Sequence, residues 1–299
     1  MSSNKTLQPN TEDLERRDRV EKIKASPSYV QAHRDTAFLS REELRPVRMQ
    51  LELMKPELIL QELGVHSTIV AFGGTRIIER SDAAERVAQA KARLAEAPDD
   101  ADRQRDLRIA ENLVKKAHYY DEARELGRMV SSRGQVQDGL DYVIVTGGGP
   151  GIMEAANRGA HDVGGKSMGL NITIPFEQEP NSYISPELCF EFKYFAIRKM
   201  HFLMRAKAMV AFPGGFGTMD ELFETLTLIQ TQRMDPIPVI LFGRDYWERL
   251  VNWDMFVEEG TISPKDLKLI SYAETAEEVW KQVSDFYQDK PAPKLPRGQ

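Results

Sequence analysis

Residues 208 to 221 read Ala-Met-Val-Ala-Phe-Pro-Gly-Gly-Phe-Gly-Thr-Met-Asp-Glu, and an amphipathic stretch continues from Met219 to residue 231. The order is an apolar strand, a glycine loop and the start of a helix. Gly214, Gly215 and Gly217 let backbone N–H groups converge on one concavity, and the helix N-terminus adds unsatisfied donors and the positive end of its dipole. An anion is the expected guest, a phosphate above all, and Glu221 places a carboxylate beside it. Thr218 and Glu221 also carry the Thr-x-x-Glu spacing of a capping box. Capping uses only that pair, whereas three glycines in the four preceding positions ask for close backbone approach to a ligand. The two roles are compatible.

Working outward, the same alternation recurs. Strands are expected at 67–72, 141–145, 167–174, 188–192, 208–212 and 238–242, with helices at 83–96, 102–129, 152–162, 195–206, 219–231, 246–258 and 276–287. Mostly continuous apolar strands alternating with helices predict an α/β fold, a doubly wound parallel sheet covered on both faces. Ligands of such sheets bind beyond the carboxyl ends of the strands. Gly73-Gly74, Gly147-Gly148-Gly149 and Gly214-Gly215 all fall there. Almost seventy residues separate the first two strands, so a pair of helices broken at Ala97-Pro-Asp-Asp is inserted in the first crossover. Before the sheet, Leu44, Val47, Leu51, Met54, Leu58 and Leu63 follow helical spacing, with Pro46 and Pro56 limiting continuity. This gives an N-terminal helical extension over 1–63, packing on the core or on another subunit or forming a solvated arm near its beginning, a nucleotide-binding domain over 64–290 and a tail over 291–299.

The 299 residues carry a net charge of −6 and a single cysteine, Cys189. That balance gives no global basic field for nucleic acid, and one thiol excludes an intramolecular disulfide framework or a multi-cysteine metal site. The polar start, Met-Ser-Ser-Asn-Lys-Thr, lacks a signal-peptide core, and no apolar run approaches the ~18 residues of a membrane span. A cytoplasmic location is expected. The five histidines show no zinc-binding spacing, so no metal is expected.

Thr146-Gly-Gly-Gly-Pro-Gly-Ile-Met-Glu-Ala-Ala-Asn157 is a second strand-loop-helix junction, with Pro150 suited to a first helical turn. Its glycines fail the dinucleotide spacing, because residue 152 is Ile where the third glycine belongs. Close approach to a nucleotide remains favoured, against the plainer reading of a tight turn. Gly164-Gly165-Lys166-Ser167 lacks the strand-to-helix setting of a P-loop and reads as a turn with a solvated lysine. Between the junctions, the expected helix at 195–206 carries Arg198, whose fork is suited to holding a phosphate or orienting Glu221. Lys199 and Lys207 read as cations of a solvated face.

Taken together, residues 147–154, Arg198-Lys199 and Pro213-Gly-Gly-Phe-Gly-Thr-Met-Asp-Glu221 resemble the LOG (LONELY GUY) family, older members of which carry the label lysine decarboxylase. The last block matches PGGxGTxxE at every specified position, and Arg198 precedes Glu221 by the family's twenty-three residues. The resemblance covers roughly residues 65 to 260. One departure is Phe195-Ala-Ile-Arg198-Lys199 in place of the Met-His-x-Arg-Lys of short plant-type members, which leaves cytokinin preference open. The resemblance implies a Rossmann-like fold and an N-glycosidase that cleaves a nucleoside 5′-monophosphate, AMP-like or a cytokinin riboside monophosphate, to free base and ribose 5-phosphate without a cofactor. It implies Arg198 and Glu221 as catalytic residues. Substrate is expected at Gly73, Gly74, Gly147, Gly148, Gly149, Gly151, Met153, Glu154, Gly214, Gly215, Gly217 and Thr218. A homodimer or larger homo-oligomer is expected. Glu221, near a helix N-terminus, is expected to be ionised. The competing expectation is a non-catalytic nucleotide carrier resembling molybdenum-cofactor carriers. A pyridoxal enzyme is disfavoured, since no lysine stands in an evident Schiff-base setting.

Overall fold

The computed structural model describes residues 11–135, 139–175 and 179–288. The tail expected at 291–299 lies outside them. The backbone divides into two compact units, 1–51 and 52–299. In the first, α1 (Thr11–Lys24) has no buried residue, and Asp35 caps the short α2 (Thr36–Leu39) by accepting the Phe38 N–H at 2.9 Å.

Helix α3 (Arg45–Glu62) runs across the division without a break, despite its two prolines. Pro46 falls in the first turn, where no N–H is required. Pro56 leaves the carbonyl of Glu52, four residues back, without its helical donor. His201 Nε2 approaches that carbonyl at 3.2 Å and, since a carbonyl only accepts, donates to it. Of the apolar residues whose spacing predicted this helix, Val47, Leu51, Met54 and Leu58 are exposed, as is Leu63 just beyond its end, while Leu44 before it is half-buried; Pro56 and Leu60 are the buried ones.

The second unit is a seven-stranded parallel sheet. Its strands are β1 (Thr68–Phe72), β2 (Val143–Thr146), β3 (Ser167–Ile172), β4 (Cys189–Phe192), β5 (Ala206–Ala211), β6 (Val239–Phe242) and β7 (Ile270–Ala273), in the spatial order β4-β3-β2-β1-β5-β6-β7. Helices α4 (Arg80–Glu96), α5 (Ala101–Lys115) and α6 (Ala117–Gly134) fill the first crossover. The stretch expected as one helix at 102–129 is thus two, meeting at Lys116. After β2 come α7 (Ile152–Asp162), α8 (Phe195–Met204), α9 (Phe216–Gln230), α10 (Arg244–Leu250), α11 (Trp253–Glu258) and α12 (Ala276–Gln288). The expected helix at 246–258 is likewise two, and β7 was not expected.

Both faces of the sheet are buried, which explains the continuous apolar strands. Ile69, Ala71, Ile144, Ala208, Val210, Ile240 and Phe242 form one core cluster with Tyr120, Leu126 and Val130 of α6, Ile152 and Ala155 of α7, and Val279 and Val283 of α12. On the opposite face Phe72 meets Phe202 of α8 edge-on, ring centres 4.7 Å apart. This pairing links β1 to α8, which packs on β3 and β4. Among the described residues no helix is long and apolar enough to cross a membrane.

Candidate active site

The chain leaves β1 toward β2 on one side and returns to β5 on the other, so the β1/β5 boundary is the switch point where a doubly wound sheet opens a crevice. Three glycine loops meet there. Gly74 N–H donates to the carbonyl of Pro213 at 2.9 Å, and Ile152 N–H to that of Gly74 at 3.3 Å. A Cβ added at Gly214 would lie 2.1 Å from Thr218 Oγ1 and 3.2 Å from the carbonyl carbon of Gly73, so the backbone of one loop rests directly on the next. Tyr246 Oη fixes the loop from α10 by donating to the Gly214 carbonyl at 2.6 Å.

Gly215 and Gly217 face open space. Helix α9 begins at Phe216 with Gly215 as its N-cap and no side-chain cap hydrogen bond. Its start therefore offers free N–H donors and the positive dipole end to an incoming anion. This corrects the capping reading. Thr218 is the third helical residue and Glu221 the sixth, so the pair cannot form a capping box, and Glu221 lies beyond the first turn, where the dipole acts.

Glu221 is instead a buried acid. Only 5% exposed, it has an Oε2 with no hydrogen-bond partner. Burial pushes its carboxyl up to about 7, against the opposing pull of Lys199 and Arg198 and with smaller pushes from Glu224 and Asp220. The expectation that the nearby helix N-terminus favours the ionised form of Glu221 is thus reversed in direction, because desolvation of the carboxylate outweighs a dipole whose effect fades beyond the first turn.

Arg198 is the fourth residue of α8. Its Nε donates to the Leu170 carbonyl of β3 at 2.6 Å, and its Cζ stands 5.0 Å from the Phe202 ring centre. The guanidinium lies over the second glycine loop: a Cβ on Gly147 would be 2.7 Å from Arg198 Nη2 and 2.9 Å from Met153 Sδ. Burial pulls its pKa down, Glu221 pushes it up, and an arginine stays charged throughout. Arg198, Gly147, Met153 and Glu221 are thereby brought to one crevice.

A buried amide hub shapes the second loop. Thr146 Oγ1 donates to Asn157 Oδ1 at 2.7 Å and accepts the Gly148 N–H at 3.0 Å; Asn157 Nδ2 donates to the Met168 carbonyl at 3.3 Å. Asn181 N–H and Nδ2 donate to the carbonyls of Gly148 (2.8 Å) and Gly149 (3.1 Å). Gly148 has φ +76°, and a Cβ there would meet Asn171 Oδ1 at 2.0 Å. Asn157, Asn171, Asn181 and Tyr246 had no role in the sequence reading. A polar residue late in the otherwise apolar β3 was the available sign for Asn171, and one on the buried face of α7 for Asn157. Pro150 precedes the N-cap Gly151 and so lies outside α7. Glu154 turns toward α6, where Tyr120 Oη donates to it at 3.0 Å.

The two lysines are not solvated helix cations. Lys207 belongs to β5 and is half-buried, its Nζ 5.8 Å from the Tyr287 ring centre. Lys199 is paired with Asp220 and Glu224. Among the described residues no group of three or more His, Cys, Asp or Glu could hold a metal ion.

A family model described as "Possible lysine decarboxylase" matches residues 153–283. Cytokinin riboside 5′-monophosphate phosphoribohydrolase LOG3 of Arabidopsis thaliana is 34% identical over 177 residues, 58% of this chain and 77% of that protein. LOG4 of the same plant is 33% identical over 177 residues, with the same two shares. The probable enzyme LOGL5 of Oryza sativa subsp. japonica is 32% identical over 181 residues, 58% of this chain and 68% of that protein. The solved structure of the Moco carrier protein from Chlamydomonas reinhardtii aligns with 74% of this chain and 99% of its own at 16% identity and a TM-score of 0.39. The chain belongs to the LOG family of phosphoribohydrolases, hydrolases of the N-glycosidic bond.

Proposed function

We propose that this chain hydrolyses the N-glycosidic bond of a nucleoside 5′-monophosphate, AMP-like or a cytokinin riboside monophosphate, to free base and ribose 5-phosphate. The observation that carries the reading is a buried carboxylate, Glu221, within electrostatic reach of the Arg198 guanidinium, on a helix whose uncapped N-terminus opens at the switch point. The 5′-phosphate takes the N–H donors of Gly215, Gly217 and the first turn of α9, with Thr218 alongside. Arg198, already fixed by the Leu170 carbonyl, supplies a second anchor or orients Glu221. Binding energy from the phosphate then positions the ribose, remote from the bond that breaks.

The base leaves with the bonding electron pair and takes up a proton to become the free base, while positive charge resembling an oxocarbenium ion develops on the ribose. Ionised Glu221 stabilises that charge in a water-poor pocket and accepts a proton from the attacking water. Its buried Oε2 has no hydrogen-bond partner within the fold. The test is a panel of AMP, GMP, CMP and a cytokinin riboside monophosphate, each beside its unphosphorylated nucleoside, assayed for ribose 5-phosphate and free base. The reading expects at least one monophosphate to be cleaved and its nucleoside to be spared. Tight binding of every monophosphate with no product would contradict it and favour a carrier.

A further inference from the structure

Lys199 follows Arg198 on α8 but serves another helix. While Arg198 reaches over the Gly147 loop, Lys199 Nζ lies 3.0 Å from Asp220 Oδ1 and 2.9 Å from Glu224 Oε2. These carboxylates stand one residue before Glu221 and three after it on α9. The lysine side chain is 17% exposed. An exposed lysine paired with one carboxylate contributes little. A mostly buried one bridging two carboxylates of a neighbouring helix, the half-exposed Asp220 and the more buried Glu224, ties the two helices together.

The charged groups that act electrostatically on Glu221 are Arg198 and Lys199 from α8, and Asp220 and Glu224 from its own helix. Two cations thus balance two anions around it. Without Lys199, the two carboxylates would crowd a buried acid with only Arg198 to offset them. Without Asp220 and Glu224, two cations would bear on Glu221 unopposed.

We propose that Lys199 is a positioning residue for the reaction, locking α9 to α8 through Asp220 and Glu224 and so setting both the placement of Glu221 and the charge balance around it. The inference rests on the reading of Glu221 as the catalytic carboxylate. Its test uses the full chain labelled with 13C-carboxyl glutamate, the Glu221 resonance being assigned by its loss in E221Q. Titration of that resonance is compared with the pH profile of kcat/KM on whichever monophosphate the wild type cleaves.

Relative to wild type, K199M should move the Glu221 midpoint up by about one pH unit, and D220N/E224Q should move it down by a similar amount. K199R, which keeps the charge, should restore the wild-type midpoint, and the acid limb of kcat/KM should follow the resonance. A strut with no electrostatic role would lower activity without opposed shifts. Should K199M fail to fold, D220N/E224Q against K199R decides the matter. Midpoints that stay put, or move in the same direction, in an active enzyme overturn the inference alone. An E221Q enzyme as active as wild type overturns the underlying reading and the inference with it.

Discussion

At the scale of single residues, Glu221 carries the sharpest consequence. Its carboxyl titrates at about 7 in the folded chain against 4.5 for an ordinary glutamate. A folded-state pKa raised in this way favours the native state fully below about pH 4.5, and that contribution is lost as pH rises through 7. E221Q, which never ionises, should match the wild-type Tm near pH 4.5 and exceed it at pH 8. At about 1.4 kcal/mol per unit the ceiling is on the order of 3 kcal/mol. Thermal melts at the two pH values check this. Neighbouring glycines separate activity from stability. In G147A the new methyl meets the movable ends of Arg198 and Met153. It should displace the guanidinium and cut kcat at least about tenfold, with little change in Tm. In G148A the strain falls on a backbone at φ +76° and on the Asn171 amide, so the cost should appear as about 1–3 kcal/mol of stability in urea melts.

At the scale of elements, α8 governs the site because its register sets Arg198, and α3 governs α8. Glu52 accepts the N–H groups of Lys193 (2.9 Å) and Tyr194 (3.2 Å), the two residues that lead into α8, and its carbonyl, freed by Pro56, receives His201. Glu57 pairs with the buried Arg205 at 2.7 Å. E52A, which leaves the Lys193 and Tyr194 N–H groups without their acceptor, should cost about 1 kcal/mol and lower kcat more than it raises KM, measured by urea melts beside steady-state kinetics. Little of this could be read from sequence. Pro56 looked like a break because the partner that compensates for it lies 145 positions away in the chain. The start of α9 was placed three residues late because Phe216 and Gly217 lack helix-start chemistry, and that shift alone gave Thr218 and Glu221 a false capping geometry. Arg198 and the three glycine loops were legible, since the chemistry they imply depends on spacing within one junction. The burial of Glu221 and the pairing of Lys199 depend on which helices meet, which spacing does not encode.

At the scale of the whole molecule, the parallel sheet and the position of the glycine loops at its carboxyl edge follow from alternating apolar strands and helices. Strand order does not, because pairing is decided by tertiary contacts. The edge strand β7 was overlooked because Ile270-Ser-Tyr-Ala carries only part of the apolar run that marks the inner strands. Placing β1 beside β5 brings the β2 and β5 loops, seventy residues of chain from one another at Gly147 and Gly217, onto one crevice, and the proposed reaction depends on that convergence. The most direct measurement is AMP turnover by wild type and E221Q, with adenine and ribose 5-phosphate quantified together and AMP affinity measured by calorimetry. Equal amounts of the two products from wild type, with E221Q binding AMP but losing at least about a hundredfold in turnover, is the predicted result. E221Q that binds AMP and cleaves it at the wild-type rate would contradict it.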